Sequence, residues 1–423
     1  MASMNSEESL QLNRSRWLMW GLVVFFNTYE FLIRVMPSVA SDQIMDTFSI
    51  SPAWYGVLSA SYMYAYAPMQ LPVGIMVDRL GPRKLLIYAA LLCGIGSIIL
   101  GSIDIYSVAV FGRFLTGAGS AFGFVLLTYI CNHWFPQDNT AFLIGLGNAF
   151  GMMGAIFGQG PLSYVIDFLG WQMTNVLIGT VGIVFTIIVY LVIQRQPDAL
   201  DEHDPDIRTK EVVQNMKGVL KNKRTLYVSL LAICGYVPIS VFGGLWAVPF
   251  IQDTYHVSNT TAGYVASLLF VGYLIGGPIF GKMSDARDRR KPFFIVGSIL
   301  VSLLFCYLLY VHPESFWIAC LIMFFMGVFA SIQLLSYSAA IETNILEAQG
   351  SVVAVVNFAV FLGVSLFQSL IGYLLFAYST SNDHVLADYR IAFSLITVVV
   401  LTYTALALLF KEEHTCDVDG VKG

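Results

Sequence analysis

Three ionisable side chains sit inside apolar runs of this chain: Glu30 and Arg34 in the first run and Arg113 in the fourth. A charge within hydrocarbon costs roughly 2.5–3.5 kcal/mol or more, so such residues usually mark a substrate or ion pathway. Glu30 and Arg34 are one helical turn apart on the same face, and Asn27, Ser38 and Ser41 extend them into a polar stripe of helical period. At ~1.5 Å per residue, Arg34 stands about 25 Å above Trp17 in a first helix that continues past Pro37 toward Met45, and Arg113 lies about 10–12 Å from the outer end of its own helix. The two arginines are therefore expected at one level. Ionised together, the three groups leave a surplus of positive charge, whose simplest complement is a negative group on a substrate. The planar guanidinium fork suits carboxylate or phosphate. Two functional roles are open to Glu30: proton carrier, or partner for an ammonium on a zwitterionic substrate. A permanent structural pair with Arg34 is a third reading, and Arg113 has a structural reading too.

Neutral polar residues complete the set. Tyr62, Tyr66 and Gln70, with Ser59 a turn earlier, share one face of the second run and line either a cavity wall or a helix contact. The second half offers Tyr236, Ser240, Gln333, Tyr337, Asn357 and Gln368, and no charge in the middle of its runs. Asn357 is preferred to Gln368 because it lies deeper; Trp246 reads as an interface anchor.

The elements that must position these residues follow from composition. Of 423 residues, 57% are hydrophobic and 12% charged, against about 25% charged in soluble domains. Twelve runs approach the ~20 residues needed to cross hydrocarbon: 17–45, 53–77, 84–102, 106–133, 140–165, 172–194, 225–252, 259–283, 292–311, 315–340, 350–378 and 390–411. With Arg34 and Arg113 inside helices and Arg390 at an outer end, the remaining 19 of 22 Lys and Arg fall on one side, which the positive-inside rule makes cytoplasmic together with both termini. Arg14 and Arg16 ahead of the first run, with Ser38-Val39-Ala40, imitate a signal peptide, but Glu30 interrupts its core. The six cysteines show no close pairing, and all six histidines fall at helix ends or in loops. Neither disulfides nor a metal site is expected.

A charged pattern occurs twice at an offset of 207 residues, as Gly74-Ile75-Met76-Val77-Asp78-Arg79-Leu80-Gly81-Pro82-Arg83-Lys84 and as Gly281-Lys282-Met283-Ser284-Asp285-Ala286-Arg287-Asp288-Arg289-Arg290-Lys291. The same offset brings Tyr29 over Tyr236, Gly56 over Gly263 and Tyr66 over Tyr273, so the chain reads as two related halves. The polar stretch 195–224 links them, and the spacing of Val212, Val213, Met216, Val219 and Leu220 fits either a membrane-surface helix or a solvated linker.

These residues resemble the major facilitator superfamily of secondary transporters. The first charged turn matches that family's G-x-x-x-D-[RK]-x-G-[RKP]-[RK] pattern; the second departs from it at Ala286 and Asp288. Arg113-Phe114-Leu115-Thr116-Gly117-Ala118-Gly119 resembles its helix-four pattern, and His133-Trp134-Phe135-Pro136 and Gly170-Trp171 resemble its junctions. The resemblance implies an all-α membrane fold of twelve helices in two pseudo-symmetric bundles, 17–194 and 225–411, with cytoplasmic tails 1–16 and 412–423. It also implies a gating latch built on Gly74, Asp78, Arg79, Gly81 and Arg83 and on Gly281, Asp285 and Arg289. Gly74 is expected to allow close helix approach, and Asp78 to be held by Arg79 and Arg83. In helix five, Gly147, Gly151 and Gly154 are present, but Met152 stands at the proline position of an antiporter signature, which favours symport.

The expected activity is proton-coupled uptake, across a bacterial inner membrane, of a small carboxylate-bearing nutrient, amino acids or short peptides first and other organic anions second. The helix-one segment Tyr29–Pro37 loosely resembles nutrient permeases of intracellular Gram-negative bacteria. Anion exchange and a transporter-like sensor are the alternatives. Expected binding residues are Asn27, Glu30, Arg34, Tyr62, Tyr66, Arg113, Tyr236, Gln333 and Asn357. Expected partners are substrate, protons and lipid, for a monomeric chain. No catalytic constellation, cofactor motif or nucleic-acid signature is visible, so no enzyme is expected.

Overall fold

The computed structural model describes residues 6–192, 214–345, 348–379 and 385–412. Among the described residues there is no strand, and eleven helical spans are long and apolar enough to cross a membrane: α1 (Ser15–Phe48), α3 (Arg79–Ser102), α4 (Tyr106–Trp134), α5 (Phe142–Leu169), α6 (Trp171–Val192), α7 (Lys223–Tyr255), α8 (Asn259–Arg287), α9 (Lys291–Val311), α10 (Phe316–Glu342), α11 (Gln349–Tyr378) and α12 (Leu386–Leu409). The twelfth, α2, is residues 52–78, the first part of the helix Pro52–Ser102, which continues into α3 across a break at Gly81. Its tyrosines, Gln70, Pro68 and Pro72 make it less apolar than the others. Gly81 has φ 77°, a left-handed value that glycine adopts without a Cβ clash.

Two compact units result, Met1–Ile50 with Val57–Thr209 and Ser51–Gly56 with Lys210–Gly423. The expected linker lies largely outside the described residues; its end, 214–221, is helical.

Within each unit, helices meet through glycine. A methyl group at Gly117 of α4 would overlap the Tyr62 carbonyl of α2, and one at Gly327 of α10 would overlap the Leu269 carbonyl of α8. Tyr62 and Leu269 are separated by the same 207 residues as the charged turns, so the repeat seen in sequence is also a repeat of helix crossings. Lipid offers no hydrophobic gain for such contacts, and close backbone approach through small residues supplies dispersion instead.

The first span is not the continuous helix expected. An α-helix, Ser6–Val35, gives way to a 3-10 turn, Met36–Ala40, and then to a short helix, Ser41–Phe48. Pro37 causes the change, since it cannot donate the next helical hydrogen bond. The polar stripe is cut at that point: Ser38 turns to Gln159 of α5 at 3.5 Å, while Ser41 contacts Asp42. In α7 the turns widen into a π-helical segment, Pro238–Trp246, buried throughout. Trp246 is 2% exposed, so it packs in the core rather than anchoring at an interface.

Candidate functional site

In the first unit, α1, α2 and α4 bring five of the predicted residues together. Glu30 is fully buried, Arg34 is 7% exposed and Arg113 is 2% exposed. Arg34 Nη2 donates to both oxygens of Glu30, at 3.0 and 2.8 Å, and the Tyr62 hydroxyl donates to Glu30 Oε2 at 2.9 Å. The Arg34 guanidinium lies 4.2 Å from the Phe31 ring centre and 4.9 Å from that of Tyr66. Arg113 lies 4.6 Å from the Tyr62 ring centre, and Tyr62 stacks on Tyr66 at 5.9 Å. Aromatic faces stabilise these cations where water is excluded. Two guanidinium groups and one carboxylate are thus buried around the same pair of tyrosines.

Arg113 turns its fork to the main chain. Its Nη1 and Nη2 donate to the carbonyls of Ile33 and Arg34, each at 2.7 Å. Asn27 turns to α5, where its amide donates to the Gly147 carbonyl at 3.1 Å. A Cβ at Gly123 of α4 would stand 3.3 Å from Asn27 Oδ1 and 3.4 Å from Glu30 Cγ, so the lack of a side chain there makes room for both.

The residues that the sequence reading missed are largely glycines. A Cβ at Gly151 or Gly154 of α5 would collide with Asn27 or with the Thr28 carbonyl, and one at Gly158 would meet the Leu32 carbonyl at 3.0 Å. The spacing Gly147, Gly151, Gly154, read for what it lacked as an antiporter signature, continues to Gly158 as a small-residue track that seats α1. Phe31 beneath Arg34 could have been found as an aromatic three residues away on the same helix face.

The second unit gathers its predicted residues into a neutral cluster. Tyr273 donates to Gln333 Oε1 at 3.2 Å, and Tyr337 donates to Asn357 Oδ1 at 2.6 Å. Tyr236 meets Tyr273 and Phe361 edge to face, at 6.5 and 5.8 Å. Gln368 Nε2 donates to the Ser240 carbonyl at 3.2 Å and ties α11 to α7. Tyr29, the repeat mate of Tyr236, donates to the Ile178 carbonyl of α6 at 2.9 Å. Repeat-related tyrosines thus have different neighbours. A surface cleft lined by Gln43, Asp46, Thr47, Trp171 and Gln172 contains none of the predicted binding residues.

The two charged turns depart from expectation in detail. Nothing lies within 4 Å of a Cβ built at Gly74 or Gly281, so neither serves a close helix approach in this structure. The Asp78 side chain lies outside the described residues. Arg79 is exposed, and Arg83 reaches the Tyr190 carbonyl at 3.4 Å. In the second turn the partner of Asp285 is Arg290, not Arg289: Arg290 Nη1 lies 2.6 Å from Asp285 Oδ1 and Nη2 3.0 Å from Glu342 Oε1. Arg289 is exposed and is held through its main chain, at the Ser284 carbonyl. Glu412 accepts from the main-chain N–H groups of Arg290 and Lys291, where a carboxylate complements the start of α9. Partial burial alone would lower the Arg290 pKa, but hydrogen bonds to Asp285 and Glu342 hold it above the ordinary arginine value. Both carboxylates are well exposed, so Arg290→Gln is expected to cost about 1 kcal/mol at low salt, less at high salt, and Arg289→Gln nothing measurable. Thermal unfolding at two salt concentrations checks both.

Comparison with known proteins agrees with this architecture. The chain is 22% identical to the probable galactarate/D-glucarate transporter GudP of Escherichia coli over 77% of this chain and 80% of that protein. It is 22% identical to the D-galactonate transporter of Escherichia coli over 85% and 89%. A match to the probable sulfoacetate transporter SauU of Cupriavidus necator, 24% identical, spans 44% of this chain and 43% of that protein. Among solved structures, a bacterial homologue of the human lysosomal transporter Spinster, inward-facing and unoccupied, superposes with a TM-score of 0.71 at 16% identity, over 93% of this chain and 96% of that one. A point mutant of the nucleoside transporter NupG gives 0.72 at 15% identity, over 93% and 100%. The family model of the Major Facilitator Superfamily matches residues 19–248 and 228–418, and the chain is a member of that superfamily, a multi-pass membrane transporter of twelve helices in two related halves.

Proposed function

We propose that this protein carries a small organic anion of the sugar-acid kind, in symport with protons, by alternating access in a bacterial inner membrane with both termini cytoplasmic. The observation that carries the reading is the buried cluster of two guanidinium groups and one carboxylate in the first unit. The guanidinium fork of Arg34 suits a substrate carboxylate, and relatives named as transporters of galactarate, glucarate and galactonate point to the same ligand class. Amino acids and short peptides rank lower, because an ammonium group would have to displace Arg34 and Tyr62 from Glu30.

The coupling is an exchange of partners within the cluster. With Glu30 ionised, Arg34 is engaged by it. A proton on Glu30 removes that attraction, and the fork of Arg34 turns to the substrate carboxylate with the net charge of the cluster unchanged. One proton on Glu30 thus accompanies one substrate carboxylate on Arg34, so the carboxylate that Arg34 releases is neutralised and not left bare in low dielectric. Tyr62 holds Glu30 in place through its hydroxyl.

The test is uptake in proteoliposomes of D-galactonate, D-glucarate and a panel of amino acids, with and without an inward proton gradient. Gradient-driven accumulation of a sugar acid is expected. In Glu30→Gln, counterflow exchange persists, while accumulation becomes independent of the proton gradient. Accumulation of amino acids alone, or an undiminished response to the gradient in Glu30→Gln, contradicts the reading.

A further inference from the structure

We infer that Arg113 is a positioning residue: its guanidinium stands in for the amide N–H that Pro37 lacks and fixes the stretch of backbone from which Arg34 projects. In an α-helix the carbonyl of one residue accepts from the N–H four residues on. Four residues after Ile33 stands Pro37, which has no N–H, so that bond cannot form. The backbone passes into the 3-10 turn Met36–Ala40 at this point. A peptide carbonyl in a membrane interior needs a donor from within the protein. Arg113 supplies two, Nη1 to Ile33 and Nη2 to Arg34, both at 2.7 Å.

The base of Arg113 is itself fixed. The Thr116 hydroxyl donates to the Arg113 carbonyl at 2.7 Å. One residue before Arg113, Gly112 packs against the Gly96 carbonyl of α3; four residues after, Gly117 packs against Tyr62 of α2. The face of the guanidinium is covered by the Tyr62 ring at 4.6 Å. Each of the outer nitrogens that would form a fork for a carboxylate already donates to a main-chain oxygen. Arg34, whose Nη2 is held by another side chain, is the arginine able to exchange one carboxylate for another. Arg113 acts on the anion through the backbone of Arg34 and not by touching it. This last step rests on the anion-transport reading; the clasp on Ile33 does not.

Pro37→Ala gives position 37 the N–H that the proline withholds, so the test is a cycle of wild type, Arg113→Met, Pro37→Ala and the double variant, each purified in detergent. Thermal unfolding is measured first. Arg113→Met is expected to lower the melting temperature, and the double variant to regain at least half of the loss. A double variant as unstable as the two single changes combined overturns the clasp. Should Arg113→Met yield no folded protein, recovery of folded protein in the double variant supports the inference and its absence overturns it. The second readout is the shift in melting temperature caused by D-galactonate, D-glucarate or sulfoacetate. A shift in the stable double variant close to that of wild type shows that Arg113 does not contact the anion, whereas a lost shift with stability restored means direct contact and overturns positioning. If no anion shifts wild type, the transport reading fails, and the stability cycle still decides the clasp.

Discussion

Arg34→Ala is expected to abolish uptake and to weaken anion binding at least about 30-fold, since a charge-assisted hydrogen bond is worth about 2 kcal/mol or more. It is also expected to destabilise the protein by about 3–5 kcal/mol, the usual cost of removing one partner from a buried ion pair. The stability loss has a specific origin: Glu30 is fully buried, and its carboxylate accepts from Arg34 and Tyr62. Without the cation that carboxylate must be neutralised or hydrated. Glu30→Gln combined with Arg34→Ala removes the need, so the double variant is expected to recover most of the melting temperature and none of the transport. Recovery of transport along with stability would make the pair structural and remove Arg34 from substrate recognition. Arg34→Lys separates the remaining contributions. A lysine keeps the charge beside Glu30 but loses the planar fork and the stacking on Phe31 and Tyr66, so folding is retained and affinity falls.

Gly154→Leu carries the other large effect. A Cβ at Gly154 would overlap the Thr28 carbonyl, a backbone atom of α1 one turn before Leu32. Side chains relieve overpacking by changing rotamer, at a cost of about 1–3 kcal/mol. A main-chain carbonyl has no such freedom, and α1 must move as a body away from α5. The hydrogen bond from Asn27 to Gly147 and that from Thr28 Oγ1 to the Phe150 carbonyl, at 3.1 Å each, go with it. Loss of monodisperse protein, or a fall in melting temperature larger than that of Arg34→Ala, is the expected result. Gly74→Ala is the control, because the added methyl meets nothing within 4 Å. If Gly154→Leu is as well folded as Gly74→Ala, α1 is not seated by the glycine track.

Much of this protein was legible before any coordinates. Apolar runs near the length of a bilayer crossing, separated by turns of basic residues, report the solvent directly, because every side chain in such a run must be compatible with lipid. The offset of 207 residues marked the duplication, and the structure repeats it in the carbonyls of Tyr62 and Leu269, on which Gly117 and Gly327 pack. Glu30 and Arg34 were legible as neighbours because four residues of helix is one turn, and the structure pairs them at 2.8 Å.

Other features depended on contacts between segments far apart in sequence. Height along a helix axis placed Arg113 level with Arg34 but could not show whether it faced a ligand or a neighbouring backbone. The answer lay 80 residues away, at the Ile33 carbonyl. Arg290 in place of Arg289 follows from how the turn leaves α8: Asp288 adopts a left-handed φ of 48°, which redirects the two arginines that follow. Tyr29 and Tyr236 match in sequence yet meet different helices, α6 for the one and α8 and α11 for the other. Periodicity and composition act within one helix, and the sequence by itself determined the membrane, the apolar spans, the repeat and the placing of Glu30 one turn from Arg34. Which face of each helix meets which neighbour, and therefore what Arg113, Asn27 and the α5 glycines do, depends on the packing of different helices, and only the tertiary structure decided it.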